Sequence, residues 1–212
     1  MSGPVSPAAE TAIVHIVDDD VPLAAALESL FRSMGLEART YGSARAFLEA
    51  QHPDRPGCLV LDIRLPGVSG LDFQAQLAEL GIHLPVVLMT GHGDIPMSVR
   101  GMKAGAVDFL AKPFRDQDML DAVATAIERD RDRRASAAGE ADLKARYATL
   151  SPREKQVMAL VITGKMNKQV AGDLDLSEIT VKIHRGSAMR KMKARTLPDL
   201  VRMGEALKVQ AQ

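Results

Sequence analysis

The sequence predicts an α/β domain with a flavodoxin-like, doubly wound, five-stranded parallel sheet, followed by a small all-α helix-turn-helix domain. Three observations carry this. Short apolar or β-branched runs alternate five times with helical patterns over roughly the first 120 residues. The remainder holds only short helices with strong capping signals. The charge divides at the same place: residues 1–145 carry 14 Lys and Arg against 21 Asp and Glu, and residues 146–212 carry 13 against 6. An acidic part (−7) joined to a basic part (+7) implies two jobs, the second with a nucleic-acid partner.

The strand and helix signals run in order. Ile13–Val17 (IVHIV) is a β-branched strand ending in Asp18-Asp19-Asp20. Pro22 suits the first turn of a helix that Gly35 stops. Glu37–Tyr41 is a second strand, and Ser43 caps a helix to about Ala50. The run 58–62 is apolar throughout until Asp62, as in a strand buried on both faces, and Pro66, Gly67 and Gly70 break the chain after it. A helix over 71–80, a strand over 85–89 ending at Thr90-Gly91, a helix over 96–104, and a strand over 106–110 follow. Lys112-Pro113-Phe114 is a turn, and a helix starts near Asp116. From Glu128 to Arg146 that helix is too charged to bury a face and reads as a solvated linker, weakened at Gly139.

Ser151-Pro152-Arg153-Glu154 is a capping box with Pro at the first helical position. Asn167 is the expected cap of a short helix to Leu174, Ser177 of a longer one to Met192, and Thr196 of a last one. A tight turn over 174–177 between the second and third helices suggests a helix-turn-helix.

Composition excludes several classes. No apolar run is long enough to span a bilayer. The first twelve residues, MSGPVSPAAETA, lack the basic start and apolar core of a secretory signal and are expected to be a disordered leader. Cys58 is the single cysteine, which fits a reducing cytoplasm. With no Trp and 3% aromatic residues, a binding face of stacked rings is disfavoured.

In a parallel sheet the carboxyl ends of the first, third, fourth and fifth strands share one edge, where open α/β sheets place their ligands. At those ends lie Asp18 and Asp19, Asp62, Thr90 and Lys112. Taken singly, each has an ordinary reading as a turn acid, a cap or a surface lysine. Taken together, three carboxylates persist at one place only beside a compensating cation. Lys112 supplies one charge, and a hard divalent ion such as Mg2+ would supply more. Such a group suits phosphoryl transfer onto a carboxylate.

IVDDD, the D-x-x-x-P-x-x-x-G run from Asp62 to Gly70, VVLMTGHGD and DFLAKPF resemble, in this order, the receiver domain of two-component response regulators. HIVDDD, TGHGDIPM and MKAGAVDFLAKPF narrow the resemblance to the FixJ group. It implies Asp62 as phosphoacceptor, with Asp18, Asp19, Asp62 and the backbone carbonyl of Arg64 holding magnesium or another divalent cation. Lys112 would contact the phosphoryl group and precede a cis bond to Pro113. Thr90 and Phe109 would switch together. The segment from Arg146 to about Lys208 resembles the LuxR-type helix-turn-helix through SPRE, NKQVA and TVKIHR. That implies a helix from Ser177 in the major groove, with Lys182 and Ile183 at base edges. Asn167, Lys168, Thr180, Arg185 and Arg190 would hold phosphates. Gly186 and Met166 depart from the family's usual residues; a glycine in mid-helix costs about 1 kcal/mol.

The expected organisation is a leader over 1–12, a receiver over 13–127, a charged helical linker over 128–146 and a DNA-binding domain over 147–212. The expected function is a phosphorylation-switched transcription regulator, not a turnover enzyme. The implied partners are a sensor histidine kinase, double-stranded DNA, RNA polymerase and, once phosphorylated, a second copy of the chain. Two rivals differ in class. Asp18-Asp19-Asp20-Val21 also fits the start of haloacid-dehalogenase-type phosphatases, with Asp18 as nucleophile. A constitutive DNA-binding protein with a vestigial receiver is the other.

Overall fold

A computed structural model describes residues 11–91 and 95–210. The expected leader therefore lies mostly outside the described residues, as do His92, Gly93 and Asp94 of the TGHGDIPM motif. Ala12, at the end of the expected leader, is already buried at 1% exposure, and its carbonyl accepts from Glu37 N–H. The chain forms two compact units divided between Arg134 and Ala135.

In the first unit, β1 (Ile13–Val17), β2 (Glu37–Tyr41), β3 (Gly57–Asp62), β6 (Val86–Thr90) and β7 (Asp108–Ala111) form one sheet in the order β2-β1-β3-β6-β7. Every pairing in it is parallel. β4 (Arg64–Leu65) and β5 (Val68–Ser69) form a small antiparallel pair that the sequence reading did not anticipate, turning at Gly67 with φ 84°. Two-residue strands are too short to show a periodicity of two.

The pleat sends alternate residues of each strand to opposite faces. Cys58 and Val60 pack with α1 (Val21–Ser33) and α5 (Asp116–Ala148) on one face. Leu59 and Leu61 pack with α2 (Ala44–Glu49) and α3 (Gly70–Glu79) on the other, where Met97 of α4 (Ile95–Lys103) also packs. With both faces covered, the central strands are apolar at successive positions. Each fully buried Leu, Ile, Val, Phe or Met contributes roughly 1.5–3 kcal/mol. His15 is the polar exception in β1. It is 1% exposed, its Nδ1 lies 3.0 Å from the Tyr41 hydroxyl, and burial, aided by His52, Arg39 and Arg55, lowers its pKa to about 4.

The helix α5 has 33 residues and continues past the division between the units. Its apolar stripe runs Met119, Ala122, Val123, Ala126 and Ile127, and the next position on the stripe, Asp130, is buried at 0% exposure. The sequence reading, which took 128–146 as too charged to bury a face, is corrected here: arginines at the third and fourth positions beyond Asp130 neutralise it.

In the second unit α6 (Pro152–Val161), α7 (Asn167–Leu174), α8 (Glu178–Met192) and α9 (Leu197–Ala206) enclose a core of Val157, Val161, Val170, Val181, Ala188, Met192 and Leu200. Ser151, Ser177 and Thr196 cap their helices as expected, through bonds to Glu154, Thr180 and Asp199 N–H. Asn167 does not cap α7. Met166 occupies that position, and its N–H donates to Gln169 Oε1 at 2.9 Å. The turn between α7 and α8 closes on Asp175, which is left-handed at φ 52°.

Glu154 does more than complete its capping box. Its carboxylate accepts from Ser151 N–H (2.7 Å), Ser187 Oγ (2.6 Å) and Lys191 Nζ (2.7 Å), tying α6 to α8. Burial alone would raise its pKa; the bonds from Lys191, Ser187 and Ser151 outweigh that and hold it at about 2. Its folded pKa thus lies below the ordinary 4.5, so its contribution is full above pH 4.5 and is lost as pH falls towards 2. Glu154→Gln is expected to lower the protection of α6 and α8 amides at pH 6 by roughly 1 kcal/mol. Hydrogen exchange on both proteins should show that difference shrinking as pH approaches 3, and a difference independent of pH would contradict it.

Candidate functional site

The register of the sheet builds the site. Val17 pairs with Leu61, Asp62 with Met89, and Thr90 with Ala111. The ladder also continues one residue beyond the strands. Asp18 N–H donates to Tyr41 O (3.1 Å), Ile63 N–H to Met89 O (2.9 Å), and Lys112 N–H to Thr90 O (2.6 Å). Asp18, Asp62, Thr90 and Lys112 are thereby fixed at the carboxyl edge of four neighbouring strands.

The side chains converge there. Asp18, Asp19 and Asp62 each present a carboxylate oxygen, all within 4.8 Å of one another. Lys112 Nζ lies 2.7 Å from Asp18 Oδ2 and 3.1 Å from Asp62 Oδ1. Asp18 and Asp62 are buried, whereas Asp19 is exposed and opens the cluster to solvent. Both oxygens of Asp18 are engaged, Oδ1 by Asp20 N–H at 2.9 Å and Oδ2 by the lysine. Asp62 Oδ2 accepts from Arg64 N–H at 3.1 Å; its Oδ1 is buried and accepts no hydrogen bond beyond the lysine ion pair. Burial raises the Asp18 pKa against the pull of Lys112. Burial would lower that of Lys112, but the bonds to Asp18 and Asp62 outweigh it and raise it. The lysine is therefore a fixed cation.

This donor set fits a hard divalent cation: carboxylate oxygens from three residues, one of them, Asp62 Oδ1, held only by the Lys112 ion pair. Thr90 is buried at 1% exposure at the end of β6, and Phe109 is half-buried in β7 among the residues packed against the α3 face. The Lys112-Pro113 bond is cis. Arg64 sits two residues beyond Asp62, with its side chain exposed.

In the second unit, Lys168, Lys182, Ile183 and Arg190 are exposed, Ile183 at 63%. Ile179 is exposed at 74%, whereas Met189 packs partly against the core. Asn167, Thr180 and Arg185 are half-buried, and Arg185 Nη1 donates to Asn167 Oδ1 at 3.1 Å. A Cβ built at Gly186 meets nothing within 4 Å, so the missing side chain leaves open space on α8. Glu154 and Asp130 were not singled out by sequence reading. The first hid inside a capping signal, and the second inside a charge run.

A pocket of acids with one lysine and a hydroxyl at the edge of a doubly wound sheet, followed by a basic helical unit, defines a phosphate-signalling module joined to a nucleic-acid reader. Residues 14–124 match the response regulator receiver domain, and residues 148–204 match the bacterial regulatory proteins of the luxR family. The chain belongs to the FixJ-like response regulators, which are phosphorylation-dependent, DNA-binding transcription regulators and imply a sensor kinase as partner. It is 59% identical over 204 residues to nodulation protein W of Bradyrhizobium diazoefficiens, covering 96% of this chain and 90% of that one. It is 45% identical to the transcriptional regulatory protein FixJ of Rhizobium meliloti, covering 91% and 95%. Among solved structures, the response regulator StyR superposes with a TM-score of 0.83 at 45% identity, over 92% of this chain and 98% of that one. Full-length FixJ from B. japonicum gives 0.57 at 37% identity, over 95% and 98%.

Gly70 supports the pocket from behind. A Cβ there would meet Asp62 O at 2.4 Å and Ile63 Cα at 2.8 Å, both backbone atoms that cannot yield cheaply. Gly70→Ala is expected to cost about 1–3 kcal/mol in chemical denaturation and to displace the Asp62 loop, seen as weakened magnesium binding. An alanine variant with wild-type stability and metal affinity would contradict this packing.

Proposed function

We propose that Asp62 accepts the phosphoryl group and that the phosphorylated chain binds promoter DNA as a dimer. The observation that carries this is Oδ1 of Asp62, the one buried carboxylate oxygen of the cluster, among the described residues, that is held only by the Lys112 ion pair at 3.1 Å. That oxygen attacks phosphorus on the phosphohistidine of a sensor kinase. The P–N bond breaks, its electron pair returns to the imidazole, and an acyl phosphate remains on Asp62. Lys112, already between Asp18 and Asp62, neutralises an equatorial oxygen, and the Thr90 hydroxyl holds another. Asp18, Asp19 and Asp62, with the backbone carbonyl of Arg64, would hold Mg2+. When bound, the ion supplies the remaining charge compensation. Asp18 is a poor nucleophile because both its oxygens are engaged, which disfavours the phosphatase reading.

Phosphorylation adds negative charge where three carboxylates already meet. Thr90 and Phe109 then move inward together, reshaping the surface of β7 and biasing a closed monomer towards a dimer. The opposite charges of the two parts favour closure in the unphosphorylated protein, and that inhibition should weaken with salt. On DNA, α8 lies in the major groove with Lys182 and Ile183 at base edges; Asn167, Lys168, Thr180, Arg185 and Arg190 hold phosphates, with RNA polymerase as the downstream partner. The exposure of Lys182, Ile183, Lys168 and Arg190 supports this assignment. A cytoplasmic location suits these partners, and no helix among the described residues is long and apolar enough to cross a membrane.

Wild-type protein incubated with magnesium and labelled acetyl phosphate is expected to take up label, and Asp62→Asn to take up none. Label retained by Asp62→Asn would move the acceptor elsewhere and sink the assignment. In DNA titrations across salt concentration, Lys168→Ala should weaken binding to every sequence about equally and reduce the salt slope by about one. A sequence-selective loss would instead make Lys168 a base reader.

A further inference from the structure

The middle of α5 holds a second ionic cluster, far in sequence from the acid pocket and without a role so far. Asp130 is the last buried residue of α5, and the division between the two units falls four residues later. Its Oδ2 accepts from Gly57 N–H at 3.1 Å and from Arg134 Nε at 2.7 Å. Its Oδ1 accepts from Arg133 Nε at 3.0 Å and Nη2 at 2.6 Å. Arg134 reaches on to Asp54 with Nη1 at 2.5 Å. Burial would raise the Asp130 pKa, but the two arginines and the Gly57 amide outweigh it and lower it, so the group is a carboxylate.

Gly57 is the first residue of β3, the strand whose last residue is Asp62. A Cβ at Gly57 would meet Ile13 O at 2.5 Å, so β1 and β3 are pressed together at the point where Asp130 attaches. Before Asp130 the helix packs on the core through Met119, Ala122, Val123, Ala126 and Ile127, and apolar contacts permit small slips and rotations. The Gly57 N–H bond to Asp130 and the Arg134–Asp54 pair are directional and reach out of the helix, while Arg133 and Arg134, on α5 itself, hold the buried carboxylate charged and aimed. Buried ionic groups of this kind are best attested as setters of register.

We propose that Asp130 is the positioning residue of the output helix. It locks the rotation and axial register of α5 to the amino end of β3, so that a change at the carboxyl edge of the sheet reaches the helix that continues into the DNA-binding unit. This rests on the reading that phosphorylation of Asp62 raises DNA affinity. Removing the lock leaves phosphorylation and DNA binding each intact but unlinks them.

The test compares DNA affinity with and without acetyl phosphate, using the full chain and a duplex selected from random sequence by the phosphorylated protein. Asp130→Asn should label at Asp62 as wild type does, while its ratio of phosphorylated to unphosphorylated affinity falls roughly fivefold or more. Val123→Ala, a cavity on the same stripe of α5, should lower stability yet keep the ratio; that outcome separates positioning from general destabilisation. If Asp130→Asn does not fold, Arg134→Ala carries the test, because it removes the Asp54 link and one bond to Asp130 while leaving Gly57 and Arg133 in place. An unchanged ratio in folded Asp130→Asn overturns the proposal alone; where only Arg134→Ala folds, a ratio equal to that of Val123→Ala overturns it, and a fall below that ratio supports it. A wild-type ratio of one refutes the phosphorylation reading beneath it, and the proposal with it.

Discussion

Three carboxylates whose oxygens lie within 4.8 Å of one another, answered by one lysine, are the constraint on which the first unit depends. Like charges at that distance repel, and burial of Asp18 and Asp62 strengthens every interaction among them. Nothing local in the chain could hold them there, since they come from positions 18, 19 and 62 with the lysine at 112. The parallel sheet does so by carrying its hydrogen bonds one residue past the strand ends at Asp18, Ile63 and Lys112. The apolar slabs on both faces supply the stability that the acid edge consumes. The pocket is thus left short of positive charge by construction, which is the condition for binding a metal ion and responding to a phosphoryl group.

Most of this was legible in the sequence because the signals were strong and local. A run such as CLVLD buried on both faces allows one period and one sheet type, and strand ends follow from it. What was not legible depended on partners distant in sequence. Asp130 sits in ERDRDRR, where charge density suggested a solvated face; only the fold shows that the Gly57 amide, 73 residues away, meets it. Glu154 read as a cap, and its bonds to Ser187 and Lys191 are 33 and 37 residues distant. The Asn167 cap failed for a different reason. Gln169, at the third helical position, supplies the bond to the Met166 amide, which frees Asn167 to meet Arg185.

The basic surplus of the second unit is also not uniform in use. Lys191 is tied to Glu154 and to Thr149 O, and Lys165 to Asp173, so these cations hold the unit together. Lys182, Lys168 and Arg190 remain exposed. A count of charges therefore overstates the interface, because Lys165 and Lys191, although exposed, are already paired with carboxylates.

The helix α8 is bound to its own unit by Val181, Ala188 and Met192 in the core and by the Glu154 bonds at its side. These contacts set its geometry from within the second unit. On the proposed reading, with Asp62 as acceptor and α8 as the reading helix, phosphorylation has little purchase on the shape of α8. That reading places its action on a population of arrangements rather than on a contact within the second unit. Such a switch needs only a modest difference in free energy between two arrangements. One added phosphoryl charge in an undercompensated pocket is well suited to supply it, provided the helix that joins the two units is held in register where it leaves the sheet.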